Sequence, residues 1–264
     1  MAAVQFVYFH GQPGSPDELR AAFPDGVPVS KRLLVLNRAC EAEDLPQEAY
    51  LDRLAGTILQ AFPDGPLRLI GFSLGGVVVL EIALRLQSDA PEREISLDLI
   101  AAPAPLGDGE VLAKMAGGAV FALAKRHPWR FSLFTQAQGL LARIAPRFLL
   151  DQIFATAAGA DAALSRDPRF QAILLSVLAN TYRGRARRYL AEVRAYTALT
   201  GARYAQLRYP VRLWQGGADN WTPPVMAEQL ATLLPQASLT VLPGLSHYST
   251  LVAVLPQVLQ DIEP

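Results

Sequence analysis

Two hydrophobic periods meet across five residues of this chain, and the junction restricts the fold more than any other feature. Leu67-Arg68-Leu69-Ile70 is a short apolar run of strand character, and residues 75–86 are apolar with helical spacing. Between them stands Gly71-Phe72-Ser73-Leu74-Gly75. A strand that becomes a helix within so few residues must bend sharply, and the residue at the apex is strained. Side chains two places before and two places after Ser73 must therefore be small. Glycine at 71 and 75 meets that demand.

The same alternation runs through most of the sequence. Strand-like runs occupy residues 4–9, 33–36, 67–70, 97–101, 211–215 and 239–242, and helical patterns occupy 45–62, 75–86, 225–234 and 251–262. Strands that alternate with helices predict an α/β fold with a mostly parallel sheet of about six strands. The run Leu33-Leu34-Val35-Leu36 is continuously apolar, as expected of a parallel strand covered on both faces. One interval departs from the pattern. Residues 104–204 contain no convincing strand, are rich in Ala, Leu, Phe and Arg, and are broken at Pro128, Pro146 and Pro168. We read 1–103 and 205–264 as one core and 104–204 as a helical cap inserted after the fourth strand.

Net charge excludes little until it is divided along the chain. Lys plus Arg and Asp plus Glu are equal at 24 each, so no basic excess calls for nucleic acid. The cap, however, carries a balance of about +8 against about −8 for the remainder. Arg183, Arg185, Arg187 and Arg188 form its densest cluster. That cluster reads first as a solvated helix face, and second as a surface for an acidic carrier or an anionic surface. The single cysteine, Cys40, excludes an intrachain disulfide and is compatible with a reducing compartment. The N-terminal residues lack the basic start of a signal peptide, and no apolar stretch approaches the ~20 residues of a membrane span. These features suggest a soluble, cytoplasmic protein.

Ser73 in such a turn is a candidate nucleophile, and a hydroxyl nucleophile needs a base. The chain offers three histidines. His127 precedes Pro128 in the cap, His10 ends the first strand, and His247 follows the last strand in Leu242-Pro-Gly-Leu-Ser-His247. A loop there can bring imidazole over the sheet edge, so His247 is the expected base. Asp219 follows the strand at 211–215, within Gly216-Gly-Ala-Asp219-Asn-Trp-Thr-Pro223. It is the candidate to orient the imidazole, although an Asx-turn would use the same residue. Asp108, beyond the run at 97–101, is the alternative acid. The helix that follows Ser73 aims its first N–H groups at developing negative charge. Leu74 N–H and Gln12 N–H, the latter in His10-Gly-Gln-Pro-Gly14, are the candidate oxyanion donors. No Gly-Lys-Ser/Thr phosphate loop, no G-x-G-x-x-G and no metal-ligand spacing is present, so no cofactor or metal is expected.

These residues carry a resemblance. His10-Gly-Gln-Pro resembles the H-G-x-P oxyanion loop of the α/β-hydrolase superfamily, Gly71–Gly75 its nucleophile elbow, Gly216–Pro223 its acid loop and Pro243–His247 its histidine loop. The likeness spans about residues 4–262 apart from the cap. It implies a cap after the family's sixth strand, an acyl-enzyme on Ser73 and hydrolysis by an activated water. Members usually carry two further strands before the H-G loop, whereas nine residues precede His10 here, so a sheet short at that edge is expected. Serine at the elbow argues against the branches whose nucleophile is a carboxylate. The expected activity is hydrolysis of a carboxylic ester with an apolar acyl or alcohol group. Phe121, Trp129, Phe131, Phe134 and Phe148 of the cap are candidate contacts for that group. Thioesters, carrier-linked methyl esters, lactones, carbon–carbon bonds beside a ketone and peracid formation suit the same three residues. A binding protein on a hydrolase scaffold is the reading from another class.

Overall fold

The computed structural model describes residues 3–38, 45–107 and 110–260, without the side chains of residues 110, 184 and 185. Cys40 and Asp108 lie outside the described residues. Six strands, β1 (Gln5–Phe9), β2 (Leu33–Leu36), β3 (Leu67–Phe72), β4 (Ile95–Ile100), β5 (Val211–Gly216) and β6 (Ala237–Leu242), form one sheet in the order β2-β1-β3-β4-β5-β6. Every neighbouring pair is parallel. The fold is an α/β fold with one six-stranded parallel sheet, as the alternation of strands and helices predicts.

The strand composition explains the layering. Inner strands β1, β3 and β4 are nearly all buried, which requires helices on both faces. The continuous apolar run of β2 has another cause than central burial. It is an edge strand, with Leu33, Leu34 and Val35 only half-buried and Leu36 buried. Helices α1 (Leu19–Ala22), α2 (Gln47–Ala61), α3 (Leu74–Asp89), α10 (Pro224–Leu233) and α11 (His247–Val258) accompany the sheet. Helix α3 follows the elbow and is apolar almost all round, Val77-Val-Val-Leu80 included, because it lies in the core between β3, β4 and α2.

Among the described residues between β4 and β5, the chain is helical wherever it is regular. It forms α4 (Gly118–Arg126), α5 (Pro128–Ile144), α6 (Pro146–Ile153), α7 (Asp161–Leu164), α8 (Pro168–Thr181) and α9 (Arg187–Thr197), with short 3-10 turns before α4, between α8 and α9, and after α9. Proline stands at the first turn of α5, α6 and α8, where its missing N–H costs nothing. The breakers seen in the sequence thus mark helix starts.

The strand order fixes where a site can form. From β1 the chain moves to β2 on one side, then returns to β3 on the other. The carboxyl ends of β1 and β3 therefore diverge at a topological switch point, where open α/β sheets bind ligands. Phe9 pairs with Gly71, so the segment from His10 and the turn at Ser73 leave the sheet side by side.

Candidate active site

Ser73 has φ 52° and ψ −130°, a conformation costing roughly 1–3 kcal/mol for a residue with a Cβ. Its environment holds it there. Ser73 N donates to Ile100 O at 2.9 Å, and Gly76 N donates to Ser73 O at 2.8 Å. The flanking glycines are sterically required. A Cβ on Gly71 would stand 2.6 Å from Gly75 O, and one on Gly75 would stand 2.2 Å from Phe9 O. The elbow is thus wedged between its own helix and the end of β1.

His247 and Asp219 meet although 28 residues separate them, with His247 Nδ1 2.9 Å from Asp219 Oδ2. Both side chains are buried. The two oxygens of Asp219 do different work. Oδ1 accepts Trp221 N at 2.8 Å and Thr222 N at 3.0 Å, which is an Asx-turn; Oδ2 faces the imidazole and accepts Thr222 Oγ1 at 2.8 Å. The turn-former and the imidazole partner are the same side chain. Burial disfavours the charged form of His247, but the Asp219 carboxylate outweighs it, with smaller help from Asp161 and Glu18, so its pKa is held above 6.5. The Trp221 ring stacks near the imidazole at 5.8 Å and 17°, and Phe72 lies 4.8 Å away. With Nδ1 turned to Asp219, Nε2 is left for the cavity that Ser73 and His247 both line.

His247 departs from the loop position expected for it. It is the first residue of α11. The carboxylate of Asp161, at the start of α7, receives the next two helical N–H groups, Tyr248 N at 2.9 Å and Ser249 N at 2.7 Å. Asp161 is buried, and it satisfies donors that the start of a helix leaves unpaired. A residue from the interval between β4 and β5 therefore fixes the helix that carries the imidazole.

The loop after β1 is gripped as firmly. Glu18, fully buried, accepts Gly11 N at 2.9 Å and Tyr8 OH at 2.6 Å. Burial raises its pKa to about 7 against the opposing pull of those hydrogen bonds and of Arg38. Arg38 is also fully buried and donates Nη1 to His10 O at 2.7 Å. It meets Glu192 of α9 with two bonds of 3.0 Å, and Glu192 accepts Gln12 Nε2 at 2.9 Å. His10 accepts Arg38 N at Nε2, 3.1 Å, and donates from Nδ1 to Gly11 O at 2.8 Å. Burial and Arg38 hold its pKa well below 6.5, so it is a neutral brace for the loop. His127 is an exposed residue preceding α5. Gln12 N and Leu74 N have no hydrogen-bond acceptor among the described residues.

A cavity of about 440 Å³ joins these groups, with Ser73, His247, Gln12 and Leu74 on one wall and α4, α5, α6 and α9 on the other. Met115, Val120, Leu141, Leu149 and Val193 make that second wall apolar. Of the five cap aromatics singled out in the sequence, Phe121 and Phe134 line the cavity. Phe131 is buried among helices, and Trp129 and Phe148 face solvent. Three of the four clustered arginines can be placed by side chain, and they do not share one face. Arg183 and Arg187 are exposed, but Arg188 is 1% exposed, lies 4.0 Å over the Tyr50 ring and donates to Gln47. Counting charge along the sequence treated a buried packing residue as surface. The side chain of Arg185 lies outside the described residues. Among those residues, no group of three or more His, Cys, Asp or Glu side chains could hold a metal ion.

Glu18, Arg38, Asp161 and Glu192 are the residues that reading the sequence missed. One signal was available for two of them. Asp161 and Glu192 are rare acids in a basic segment, and a lone acid there is a candidate for burial against a specific partner.

Comparison with known proteins follows the same outline. A model of the alpha/beta hydrolase family matches residues 6–257. No curated protein matches the chain. Among solved structures, an N-acyl homoserine lactone degrading enzyme is similar with TM-score 0.64 and 16% identity, over 100% of this chain and 94% of the other. A bromoperoxidase from Bacillus anthracis gives 0.65 and 14%, over 98% and 92%. A thermophilic esterase from Thermogutta terrifontis gives 0.61 and 17%, over 99% and 89%. At these identities the likeness is one of fold.

Proposed function

This chain belongs to the alpha/beta hydrolase family, and from that premise we propose that it hydrolyses carboxylic esters through an acyl-enzyme on Ser73. The observation that carries the reading is the buried Asp219–His247 pair, 2.9 Å apart, opening on the cavity lined by a strained Ser73. His247 Nε2 takes the Ser73 proton as Oγ bonds to the carbonyl carbon. The carbonyl oxygen becomes an oxyanion and accepts from Gln12 N and Leu74 N, each worth about 3–4 kcal/mol by analogy with a measured donor loss. As the tetrahedral centre collapses, the C–O bond to the alcohol breaks and His247 returns its proton to the leaving oxygen. Water, deprotonated by His247, then releases the acid and restores Ser73. Asp219 keeps the proton of the resting imidazole on Nδ1 and stabilises the imidazolium.

The apolar wall of the cavity suits an apolar acyl or alcohol group, and an esterase and a lactone-degrading enzyme among proteins of similar fold are in keeping with acyl chemistry. We place the cap at 104–204 over the carboxyl edge of the sheet. The test is a phosphonate label on Ser73 together with a panel of p-nitrophenyl esters of increasing chain length. Ser73→Ala should lose both label and turnover, the latter by about 10⁶-fold in kcat. Turnover within tenfold of the unchanged protein would remove Ser73 as nucleophile.

A further inference from the structure

Six large apolar side chains with high exposure are gathered on one stretch. Trp129, Leu133, Phe134, Leu140 and Ile144 of α5 and Phe148 of α6 are 39–69% exposed. Among the described residues only Val29 and Val241 join them as exposed large hydrophobics. On a helix turning about 100° per residue, Trp129, Leu133, Leu140 and Ile144 fall within about 60° of one another. Such a stripe is normally turned inward. Here the inward side is already taken by Phe131, Thr135 and Ala142, and α5 packs against α4, α6, α8 and α9.

Charge edges the stripe. Arg130 lies on one flank, 5.1 Å over the Trp129 ring, and Arg143 lies on the other. Lys125, Arg126 and Arg147 are exposed at its ends, and no Asp or Glu occurs from 118 to 150. An apolar face of Trp, Leu and Phe bordered by arginines is the composition of a helix that lies in a membrane interface. No described helix is long and apolar enough to cross a membrane. Phe134, about 80° round the helix from the edge of the stripe and beyond Arg130, connects that flank to the cavity. It is 39% exposed and lines the same space as Ser73.

We propose that the outer face of α5 and α6 docks on a lipid surface bearing anionic headgroups, and that apolar substrate reaches the cavity past Phe134. The docking stands apart from the catalytic reading; the route past Phe134 rests on it. An acidic protein would answer the arginines and leave the apolar stripe unburied. A second copy would bury the stripe but bring two arginine-edged faces together, a like-charge arrangement that opposes association.

The experiment is co-sedimentation of the full chain, and of its Ser73→Ala form, with phosphatidylglycerol–phosphatidylcholine vesicles and with phosphatidylcholine alone, at low and high salt. Both forms should bind the anionic vesicles and release as salt rises. Arg130→Gln/Arg143→Gln should lower partitioning by about 25-fold, since each basic residue near such a surface contributes about fivefold. Leu133→Ser/Leu140→Ser should lower it on either vesicle. Both double variants should turn over a short water-soluble ester like the unchanged protein, which certifies their fold; a circular dichroism melt does the same if no ester is cleaved. No sedimentation with anionic vesicles overturns the proposal. So does a concentration-dependent dimer that Leu133→Ser/Leu140→Ser abolishes. Vesicle binding without cleavage of any ester supports docking while it removes the catalytic reading.

Discussion

The two sides of the candidate site are held in different ways. On the imidazole side, the turn from Gly216 to Thr222 is closed by its own carboxylate, since Asp219 accepts Trp221 N and Thr222 N within four residues. On the oxyanion side, the segment from His10 to Pro13 makes few bonds of its own. It borrows Glu18, Arg38 and, from a helix 180 residues away, Glu192. The Asp219 turn survives changes elsewhere because it is local, although α11, which carries the imidazole, is itself held by Asp161 of α7. The second couples the sheet edge to α9, so a change in α9 can reach the proposed oxyanion donors without touching the substrate.

The largest effect that would break this contrast is on the imidazole side. Asp219→Asn should lower kcat by about 10⁴-fold, because an amide favours the wrong imidazole tautomer. The melting temperature should move little, since the Asx-turn oxygen can remain. Asp108→Asn should stay within a few-fold; the reverse ranking in steady-state kinetics would move the acid to the earlier strand.

Next comes the borrowed side. Glu192→Ala removes the carboxylate bonded to Arg38 in a fully buried site, and loss of one partner of such a pair costs about 3–5 kcal/mol. A urea titration should read that loss. In the folded fraction kcat should fall more than KM rises, because Gln12 loses its anchor while the cavity wall remains. Unchanged stability with unchanged kcat would mean that the loop is held by Glu18 alone.

A smaller change should appear in pH dependence. The proposed mechanism needs neutral His247, and its pKa is raised, so kcat/KM should fall to half on the acid side at a pH above 6.5. The groups facing the imidazole are Asp219, Asp161, Glu18 and Tyr248. Asp161→Asn removes one of these negative charges and leaves an oxygen to accept from α11. The acid limb should therefore move to lower pH, with kcat at the plateau reduced less than tenfold. A profile that keeps its midpoint would make Asp161 a structural cap alone. The smallest effect belongs to Phe121→Leu, which trims the cavity wall and should raise KM for long-chain esters a few-fold while sparing short ones.

The sheet and the meeting of Ser73, Asp219 and His247 were legible because each rests on local chemistry. Glycines two places either side of a serine, a strand run before them and a helical run after them are short-range signals. The order of the three residues along the chain then follows from the strand order. The interval between β4 and β5 resisted the same reading. Its helices could be counted from proline and periodicity, but the partners of Asp161 and Glu192 lie 87 and 154 residues away, and no period in the sequence announces such a bond. Arg188 failed for a related reason: an arginine whose stem and head are covered by Tyr50 and Gln47 looks, in a charge count, like any exposed one.

The Arg38–Glu192 pair also sets how the cavity can breathe. Were α9 to swing away as a rigid door, Arg38 would be left charged and unanswered at a cost of about 3–5 kcal/mol, and that state would hold less than about one molecule in a hundred. Asp161 latches α7 to α11 in the same manner. Helix α5 is tied to α9, where Arg194 donates to Pro128 O at 2.9 Å and to Ser132 Oγ at 2.6 Å, and its packing partners are other helices between β4 and β5. On the route proposed past Phe134, any opening would have to carry α5 and α9 together or break the Arg194 bonds between them, while the Arg38–Glu192 pair resists movement of α9.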